Sequence, residues 1–384
     1  MKYNFDKVVN RRNTASLKWD ILKENELPMW VADMDFEAAP EIVEALQLRL
    51  NGRVYGYNII PDEWYSAYIN WWKERHNFEL QRDWLIFSTG VIPTISSVVR
   101  KLTTPNENVL IQTPVYNIFF NSIINNGCRV LQNKLVYENG NFSIDFEDLE
   151  NKLSDPQTSL MLLCNPQNPT GRIWTREELA KIGALCKKYN VVVVSDEIHC
   201  DITDIGSEYV PFASVNDECK MNSITCIAPT KCFNIAGLHT SAVSVPNPFL
   251  RHKVNRALNT DEVAEPNTFA VTAAVAAFEK GGSWLDEMRS YVQQNKLLVN
   301  EFIKENIPSV KTVNQNATYL LWLDVSSLGI SSELVAKRIR EKSGLVVSEG
   351  TEYGSGGENF IRLNIACPRT VLLEGLARLK RGLE

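Results

Sequence analysis

The stretch Val191-Val-Val-Val-Ser-Asp-Glu-Ile-His199 joins an unbroken apolar run to a set of polar side chains. Unbroken apolar runs are typical of strands buried on both faces, as in the parallel sheets of α/β proteins. Ligands of open α/β sheets bind beyond the carboxyl ends of the strands, where Asp196 is expected to lie. An Asp at such a place also commonly caps the following turn. The stretch therefore predicts an α/β sheet and leaves a ligand role for Asp196 open.

The same pattern continues on both sides of this stretch. Further apolar runs occupy residues 109–111, 159–164 and 223–227. A helix is predicted over residues 175–188, because Thr175 and Glu178 have the spacing of a capping box at its start. After the Gly-Gly pair near residue 280, the pattern changes to alternating helices and strands of the α+β kind. We therefore expect two domains.

Composition and charge argue against several classes of protein for this chain. The 384 residues carry a formal net charge of −6, which does not suit a nucleic-acid binder. No apolar run reaches the roughly 18 residues of a membrane span, and the first residues lack the apolar region of a secretory signal. The eight cysteines are scattered without a C-x-x-C pair. We therefore expect a cytoplasmic protein without disulfides that binds neither nucleic acid nor membrane.

Two basic side chains stand in settings that do not suit a solvated charge. Lys231 follows an apolar strand and precedes an apolar turn, and a desolvated lysine has a depressed pKa and can form Schiff bases. Arg362 lies inside an apolar strand, where it needs a partner and where its planar fork matches a carboxylate. The alternative for Lys231 is an ordinary surface lysine, and the alternative for Arg362 is a structural ion pair.

Two loops are candidates for ligand contacts at the same edge of the sheet. Asn165-Pro-Gln-Asn-Pro-Thr-Gly171 leaves the carboxyl end of a predicted strand, on the same side as Asp196. Ser88-Thr-Gly-Val-Ile-Pro93 precedes a helix predicted over residues 94–102, and the free N–H groups at such a helix start suit a phosphate. Both loops also have the composition of ordinary turns, which leaves their roles open when each is taken alone.

Taken in order, the Gly turn, N-P-x-N-P-T-G, S-D-E, P-T-K and the late arginine resemble one family. It is that of the fold-type I pyridoxal 5′-phosphate (PLP) enzymes, the aminotransferase class I/II superfamily. Within it, the sequence looks like the MalY/PatB-like cystathionine β-lyase (C–S lyase) branch. The closer match rests on Met1-Lys-Tyr-Asn-Phe-Asp6, Ser16-Leu-Lys-Trp-Asp20, Trp30-Val-Ala-Asp-Met-Asp-Phe36, Ser195-Asp-Glu-Ile-His199 and Phe360-Ile-Arg-Leu-Asn-Ile-Ala-Cys-Pro-Arg369.

The resemblance implies a fold and an assembly. The fold is α/β and aspartate-aminotransferase-like, with a central, mostly parallel, seven-stranded sheet in a large PLP-binding domain of residues 46–280. Residues 1–45 and 281–384 form a smaller α+β domain. Tyr57 reaches the cofactor phosphate of the neighbouring subunit, so the resemblance implies a homodimer with shared active sites.

The roles that the resemblance implies for site residues centre on PLP. Lys231 carries the cofactor as a Schiff base and later shuttles protons. Asp196 pairs with the protonated pyridine nitrogen, and Arg362 binds the α-carboxylate of the substrate. The other implied contacts are Asn168 and His199 near the 3′ oxygen, Tyr116 stacked on the ring, Thr230 and the N–H groups of Val91 and Ile92 at the phosphate, and Ala32 closing over the substrate.

The sequence departs from the family pattern near the phosphate. Ala228 stands three residues before Lys231, where the family commonly has Ser, and His239 stands eight residues after it, where aminotransferases have an arginine. Both changes remove usual phosphate contacts. We therefore expect heavier reliance on the helix start, Thr230 and Tyr57, and a modest affinity for PLP.

The implied reaction is α,β-elimination from cystathionine, cysteine or S-substituted cysteines, which gives thiol, pyruvate and ammonia. An aminotransferase would use the same residues, although no second arginine can be singled out to clamp a dicarboxylic side chain. A regulatory protein that docks a transcription factor, alone or beside catalysis, is the third hypothesis. We expect no metal site, because the adjacent His199 and Cys200 have no second pair at zinc-ligand spacing.

Overall fold

A computed structural model describes residues 2–384. The strands are β1 (Leu27–Pro28), β2 (Leu85–Ser88), β3 (Asn108–Thr113), β4 (Arg129–Lys134), β5 (Val136–Glu138), β6 (Asn141–Ser143), β7 (Thr158–Cys164), β8 (Val192–Asp196), β9 (Ser223–Ile227), β10 (Ser241–Ser244), β11 (Lys311–Thr312), β12 (Leu320–Asp324), β13 (Leu345–Val346), β14 (Ser348–Glu349) and β15 (Phe360–Asn364). The helices are α1 (Pro40–Asn51), α2 (Asp62–His76), α3 (Val91–Leu102), α4 (Ile118–Ile124), α5 (Phe146–Leu153), α6 (Arg176–Lys188), α7 (Asp217–Met221), α8 (Pro248–Thr260), α9 (Ala270–Lys280), α10 (Gly282–Asn306), α11 (Ser332–Ser343) and α12 (Arg369–Leu383).

The central sheet has seven strands in the order β2-β10-β9-β8-β7-β3-β4. Strands β9, β8, β7, β3 and β4 run parallel to one another, whereas β10 runs antiparallel to both of its neighbours. The apolar runs of β7, β8 and β9 are buried almost throughout because helices cover both faces of the sheet. The predicted α/β class and seven-stranded sheet are confirmed, and the sheet is a mixed one.

The starts of α6 and α3 show how local sequence decides where a helix begins next to this sheet. Helix α6 begins behind a complete capping box, in which Thr175 accepts a hydrogen bond from the Glu178 N–H and the Glu178 carboxylate accepts one from the Thr175 N–H. Helix α3 begins at Val91, three residues before the predicted start at residue 94. Its first free N–H groups therefore belong to Val91 and Ile92, directly after the Gly turn.

The ends of the chain are joined by pairing and packing. Strand β1 pairs in parallel with β13, and β11, β12, β15 and β14 form a four-stranded antiparallel sheet. Near the amino terminus, Phe5 packs against Phe36 and against Trp284 and Tyr291 of α10. The segment between Phe5 and α1 is held against β15 by hydrogen bonds from Arg362 and Asn364 to its backbone carbonyl groups.

Two further observations concern the whole described chain. Each of the eight cysteines is buried and unpaired, as a protein without disulfides requires. None of the helices in residues 2–384 is long and apolar enough to cross a membrane.

Candidate active site

A cavity of about 330 Å³ opens at the carboxyl ends of β7, β8 and β9. Most of the residues that the sequence singled out line it. They are Ala32, Val91, Ile92, Tyr116, Asn168, Asp196, His199, Thr230 and Lys231. The lining also includes residues that sequence reasoning did not single out as contacts, namely Thr89, Gly90, Pro93, Cys164, Ile198 and Ala236, together with His239. The fold thus gathers residues from six separate segments at one edge of the sheet.

Asp196 is the last residue of β8 and is almost fully buried. Its Oδ1 accepts a hydrogen bond of 3.1 Å from the Ile198 N–H, so it does cap the following turn. Burial raises the pKa of Asp196 to about 7, an effect that Glu197 strengthens and that the Ile198 N–H and Lys231 oppose. Among the described residues, no cation forms an ion pair with this carboxylate. A buried carboxylate that faces a cavity in this way suits a protonated ring nitrogen of a bound molecule.

Lys231 follows β9 and extends into the cavity. Its Nζ donates a hydrogen bond of 2.7 Å to the Ala32 carbonyl oxygen. Burial, with a smaller contribution from Arg362, lowers the pKa of Lys231 to about 8 against the opposing effect of the Asp33 and Asp196 carboxylates. A substantial share of the amine is therefore neutral near pH 8, which is the state that attacks a carbonyl group.

Arg362 lies on β15 and is buried. Its guanidinium donates hydrogen bonds to Asn168 Oδ1 at 3.1 Å and to the Trp30 carbonyl oxygen at 2.8 Å, and it lies over the Tyr353 ring at 5.0 Å. Within residues 2–384 no acidic side chain pairs with it, and its Nε has no hydrogen-bond partner. The alternative of a structural ion pair is therefore wrong. A buried guanidinium without a counter-ion is suited to bind a carboxylate from solution.

His199 and Tyr116 complete the walls of the cavity. The Nδ1 atom of His199 is buried and lacks a partner among the described residues. Burial, with smaller contributions from Lys231 and Arg362, lowers the pKa of His199 to about 3, so the ring is neutral at physiological pH. Burial also raises the pKa of Tyr116 to about 12. Because buried polar atoms are rarely left unpaired, the orphaned Nδ1 indicates a bound polar ligand.

The far end of the cavity is formed by the start of α3. The Thr94 hydroxyl contacts Ser88 Oγ at 2.8 Å and the Gly90 carbonyl at 2.9 Å, which ties the turn together. The N–H groups of the first helical turn have no intrahelical partner and mark the positive end of the helix dipole. His239 lines the mouth here with an exposed side chain, and no arginine contributes to the cavity lining. This end suits a phosphate that is held chiefly by backbone donors.

The position of Ala32 depends on residues that the sequence did not single out. The Tyr319 hydroxyl donates a hydrogen bond of 3.1 Å to the Ala32 carbonyl oxygen. Asn364 Nδ2 donates to the carbonyl oxygens of Val31 and Asp33, each at 2.6 Å. Asn364 lies two residues after Arg362 on the same face of β15, which is the signal that could have identified it.

Two predicted site residues do not line this cavity. Arg362 adjoins it through its hydrogen bond to Asn168, whereas Tyr57 lies away from it. It lies in the loop between α1 and α2 and is fully exposed. Its contact with a partner subunit's cofactor stays a prediction.

The residues that line the cavity fit PLP: an amine for its aldehyde, a carboxylate for its ring nitrogen and a helix start for its phosphate. The family model for aminotransferase class I and II matches residues 25–379. Cystathionine beta-lyase PatB of Bacillus subtilis is 43% identical over 385 residues, covering 99% of this chain and 100% of the relative.

Two solved structures are similar over the whole chain. The structure of cystalysin from Treponema denticola, which contains PLP, has a TM-score of 0.97 and 33% identity, covering 100% of this chain and 99% of the other. A PLP-bound putative aminotransferase from Clostridium difficile 630 has a TM-score of 0.97 and 41% identity, covering 100% of both chains. The chain therefore belongs to the aminotransferase class I and II family, and PLP is its cofactor.

Proposed function

We propose that this chain is a PLP-dependent C–S β-lyase that acts on cystathionine, cysteine or S-substituted cysteines, consumes one water from solvent and releases a thiol, pyruvate and ammonia. The observation that carries the proposal is that Lys231 and Asp196 line one cavity. Arg362, which has no acidic partner among the described residues, adjoins this cavity through its hydrogen bond to the lining residue Asn168. The choice of the lyase branch is supported by the relative PatB, a cystathionine beta-lyase that matches over its full length.

Substrate binding is assigned to Arg362. Its partners Asn168 and Trp30 hold the guanidinium in place while leaving Nε free. A bound α-carboxylate supplies the missing counter-charge, and this contact orients the Cα–H bond of the amino acid toward Lys231. Ala32 lies next to the Lys231 amine, because its carbonyl oxygen accepts a hydrogen bond from that amine.

Proton transfer is assigned to Lys231. When bound, PLP supplies an electron sink that stabilises negative charge at the substrate Cα. With PLP and substrate bound, the amine of Lys231 would accept the Cα proton as a general base. The ammonium group so formed holds that proton for the departing sulfur. Asp196 keeps the ring nitrogen protonated, and neutral His199 is available to hydrogen-bond the 3′ oxygen together with Asn168.

We further propose that the enzyme is a homodimer whose sites are shared through Tyr57. The surface around Tyr57 supports this arrangement, because Leu48, Val54 and Ile59 are also largely exposed. Contiguous exposed apolar side chains mark interaction surfaces. Sedimentation and activity at the same protein concentration test the proposal, which a fully active monomer would contradict. The cytoplasm remains the proposed location, since all the cysteines are unpaired.

The decisive experiment incubates PLP-saturated protein with L-cystathionine and follows pyruvate and free thiol together. We expect both products in equal amounts. A second candidate function is transamination, which the similarity to the putative aminotransferase structure favours. Keto-acid formation from other amino acids, without thiol release, would support that candidate. A PLP-loaded protein that turned over no amino acid would point instead to the regulatory role.

A further inference from the structure

Behind the turn that carries His199, three potential metal ligands meet at a second cavity. His76, Cys200 and Asp201 each place one ligand atom within 4.8 Å of the other two. They line an open cavity of about 380 Å³ that shares no lining residue with the PLP cavity. The function proposed above does not use this cluster.

Two distances within the cluster are close to those between neighbouring ligands of a metal site, one within the range and one shorter. His76 Nε2 lies 3.0 Å from Asp201 Oδ1, and Cys200 Sγ lies 3.7 Å from Asp201 Oδ2. Zinc bonds of about 2.0–2.3 Å in a tetrahedron place neighbouring ligand atoms roughly 3.3–3.8 Å apart. Small side-chain movements are therefore enough to bring all three atoms onto one ion.

Asp201 is oriented by a donor that does not need to move. Trp71 Nε1 donates to both carboxylate oxygens, at 3.0 Å and 3.1 Å. Metal-binding carboxylates are usually held by such hydrogen bonds from outside the ligand set. A further thiol is close by, since Cys232 Sγ lies 3.8 Å from Asp201 Oδ2.

The charges around the cavity do not oppose a cation. The two arginines in its lining, Arg75 and Arg289, both pair with Asp286, at 2.6 Å and 3.6 Å. The lining also contains the carboxylates of Glu74 and Glu208. Asp286 offsets one of the two positive charges, and Glu74 and Glu208 add two carboxylates that an incoming divalent ion meets.

We propose that His76, Cys200 and Asp201 bind one Zn²⁺ ion, with a solvent molecule from the cavity in the fourth position. A thiolate with an imidazole selects zinc over Mg²⁺ or Ca²⁺, which prefer oxygen ligands. Binding releases the thiol proton of Cys200 to solvent. Because Cys200 follows His199 in the chain, the bound ion restricts the movement of the backbone that carries His199 at the PLP cavity.

Cobalt is the probe, because a thiolate bound to Co²⁺ gives a charge-transfer absorption band. The holoenzyme is stripped of metal with a chelator and titrated with Co²⁺, then with Zn²⁺. We expect one Co²⁺ per chain with the band, and its loss as Zn²⁺ displaces Co²⁺. Cys200→Ser is expected to abolish the band, and His76→Gln to weaken Zn²⁺ binding more than about tenfold. The matched control is Cys219→Ser, which alters a buried cysteine outside the cavity and leaves the band unchanged.

Three results would overturn the proposal. They are no band in the unaltered protein, a band that persists in Cys200→Ser, and unchanged Zn²⁺ affinity in His76→Gln. The second of these results would place the ion on the cofactor or on another thiol. Circular dichroism and the visible absorption of bound PLP check that each variant is folded. Because the titration of the unaltered protein needs no variant, the proposal remains testable if a substitution prevents folding.

Discussion

The two ends of the PLP cavity are built in different ways. At the reactive end, Asp196 and Lys231 are side chains whose pKa values burial shifts toward neutrality. At the opposite end, called here the phosphate end, the groups available to a phosphate are the free backbone N–H groups of Val91 and Ile92 at the start of α3, and His239 stands exposed at the mouth. Chemistry at Cα requires groups that change protonation state, whereas a phosphate needs only fixed donors. We therefore expect substitutions at the reactive end to affect turnover and those at the phosphate end to affect cofactor affinity.

The largest effect is expected from Lys231→Ala. Loss of the amine removes both the covalent attachment of PLP and the general base, so kcat should fall by roughly 10³-fold or more. The visible absorption of lysine-bound PLP should disappear with it. Lys253→Ala, which alters an exposed lysine on α8, is the matched control. Survival of the absorption band in Lys231→Ala would refute the assignment.

Arg362→Ala tests how the reactive end of the cavity binds the substrate. Removing a buried guanidinium that binds a carboxylate should raise KM roughly 100-fold, equivalent to about 3 kcal/mol. The kcat value should change less, provided that Arg362 binds substrate and transition state alike. Steady-state kinetics separates the two constants, with the exposed Arg82→Ala as control. An unchanged KM would show that another group binds the carboxylate.

The pH dependence of cofactor loading tests the desolvation of Lys231. Only the neutral amine attacks the PLP aldehyde, and burial lowers the pKa of Lys231 to about 8. The rate at which apoenzyme takes up PLP should therefore rise about tenfold per pH unit below pH 8 and level off above it. Stopped-flow absorbance between about pH 6 and 10 measures this rate. A rate that keeps rising toward the usual lysine pKa would contradict a desolvated amine.

The smallest effect is expected at the phosphate end, from His239→Arg. A guanidinium at the mouth adds a charge-assisted hydrogen bond to the phosphate, so PLP should bind about tenfold more tightly. Equilibrium dialysis measures the dissociation constant, and kcat should stay unchanged when PLP saturates. His239→Gln controls for loss of the imidazole. A drop in kcat for His239→Arg would show that the two ends are not independent.

Much of the fold was predictable because its signals are local. The apolar runs predicted β7, β8 and β9 to within one or two residues, and the capping box predicted the start of α6. The start of α3 was placed three residues late, because the Gly turn and the helix share one short stretch. The antiparallel β10 could not be derived from any residue pattern, since strand direction depends on the path of the chain between strands.

The candidate site, like the fold, was predictable where its signals are local motifs and was missed where it depends on long-range contacts. The family motifs indicated Lys231, Asp196, Asn168 and Arg362, and the structure brings them together. The positioning contact of Tyr319 with the Ala32 carbonyl was missed, because residues nearly three hundred positions apart share no motif.

Local sequence was enough to predict the strand-ending polar residues, the start of α6 and the order of the motifs, since each depends on neighbours within a few positions. Only the tertiary structure decided which charges are left without a partner. Arg362 proved to lack a counter-ion, and His76 proved to lie beside Cys200 and Asp201. Burial and pairing arise from segments that meet only after folding, and they set both the pKa values and the binding capacity of these groups.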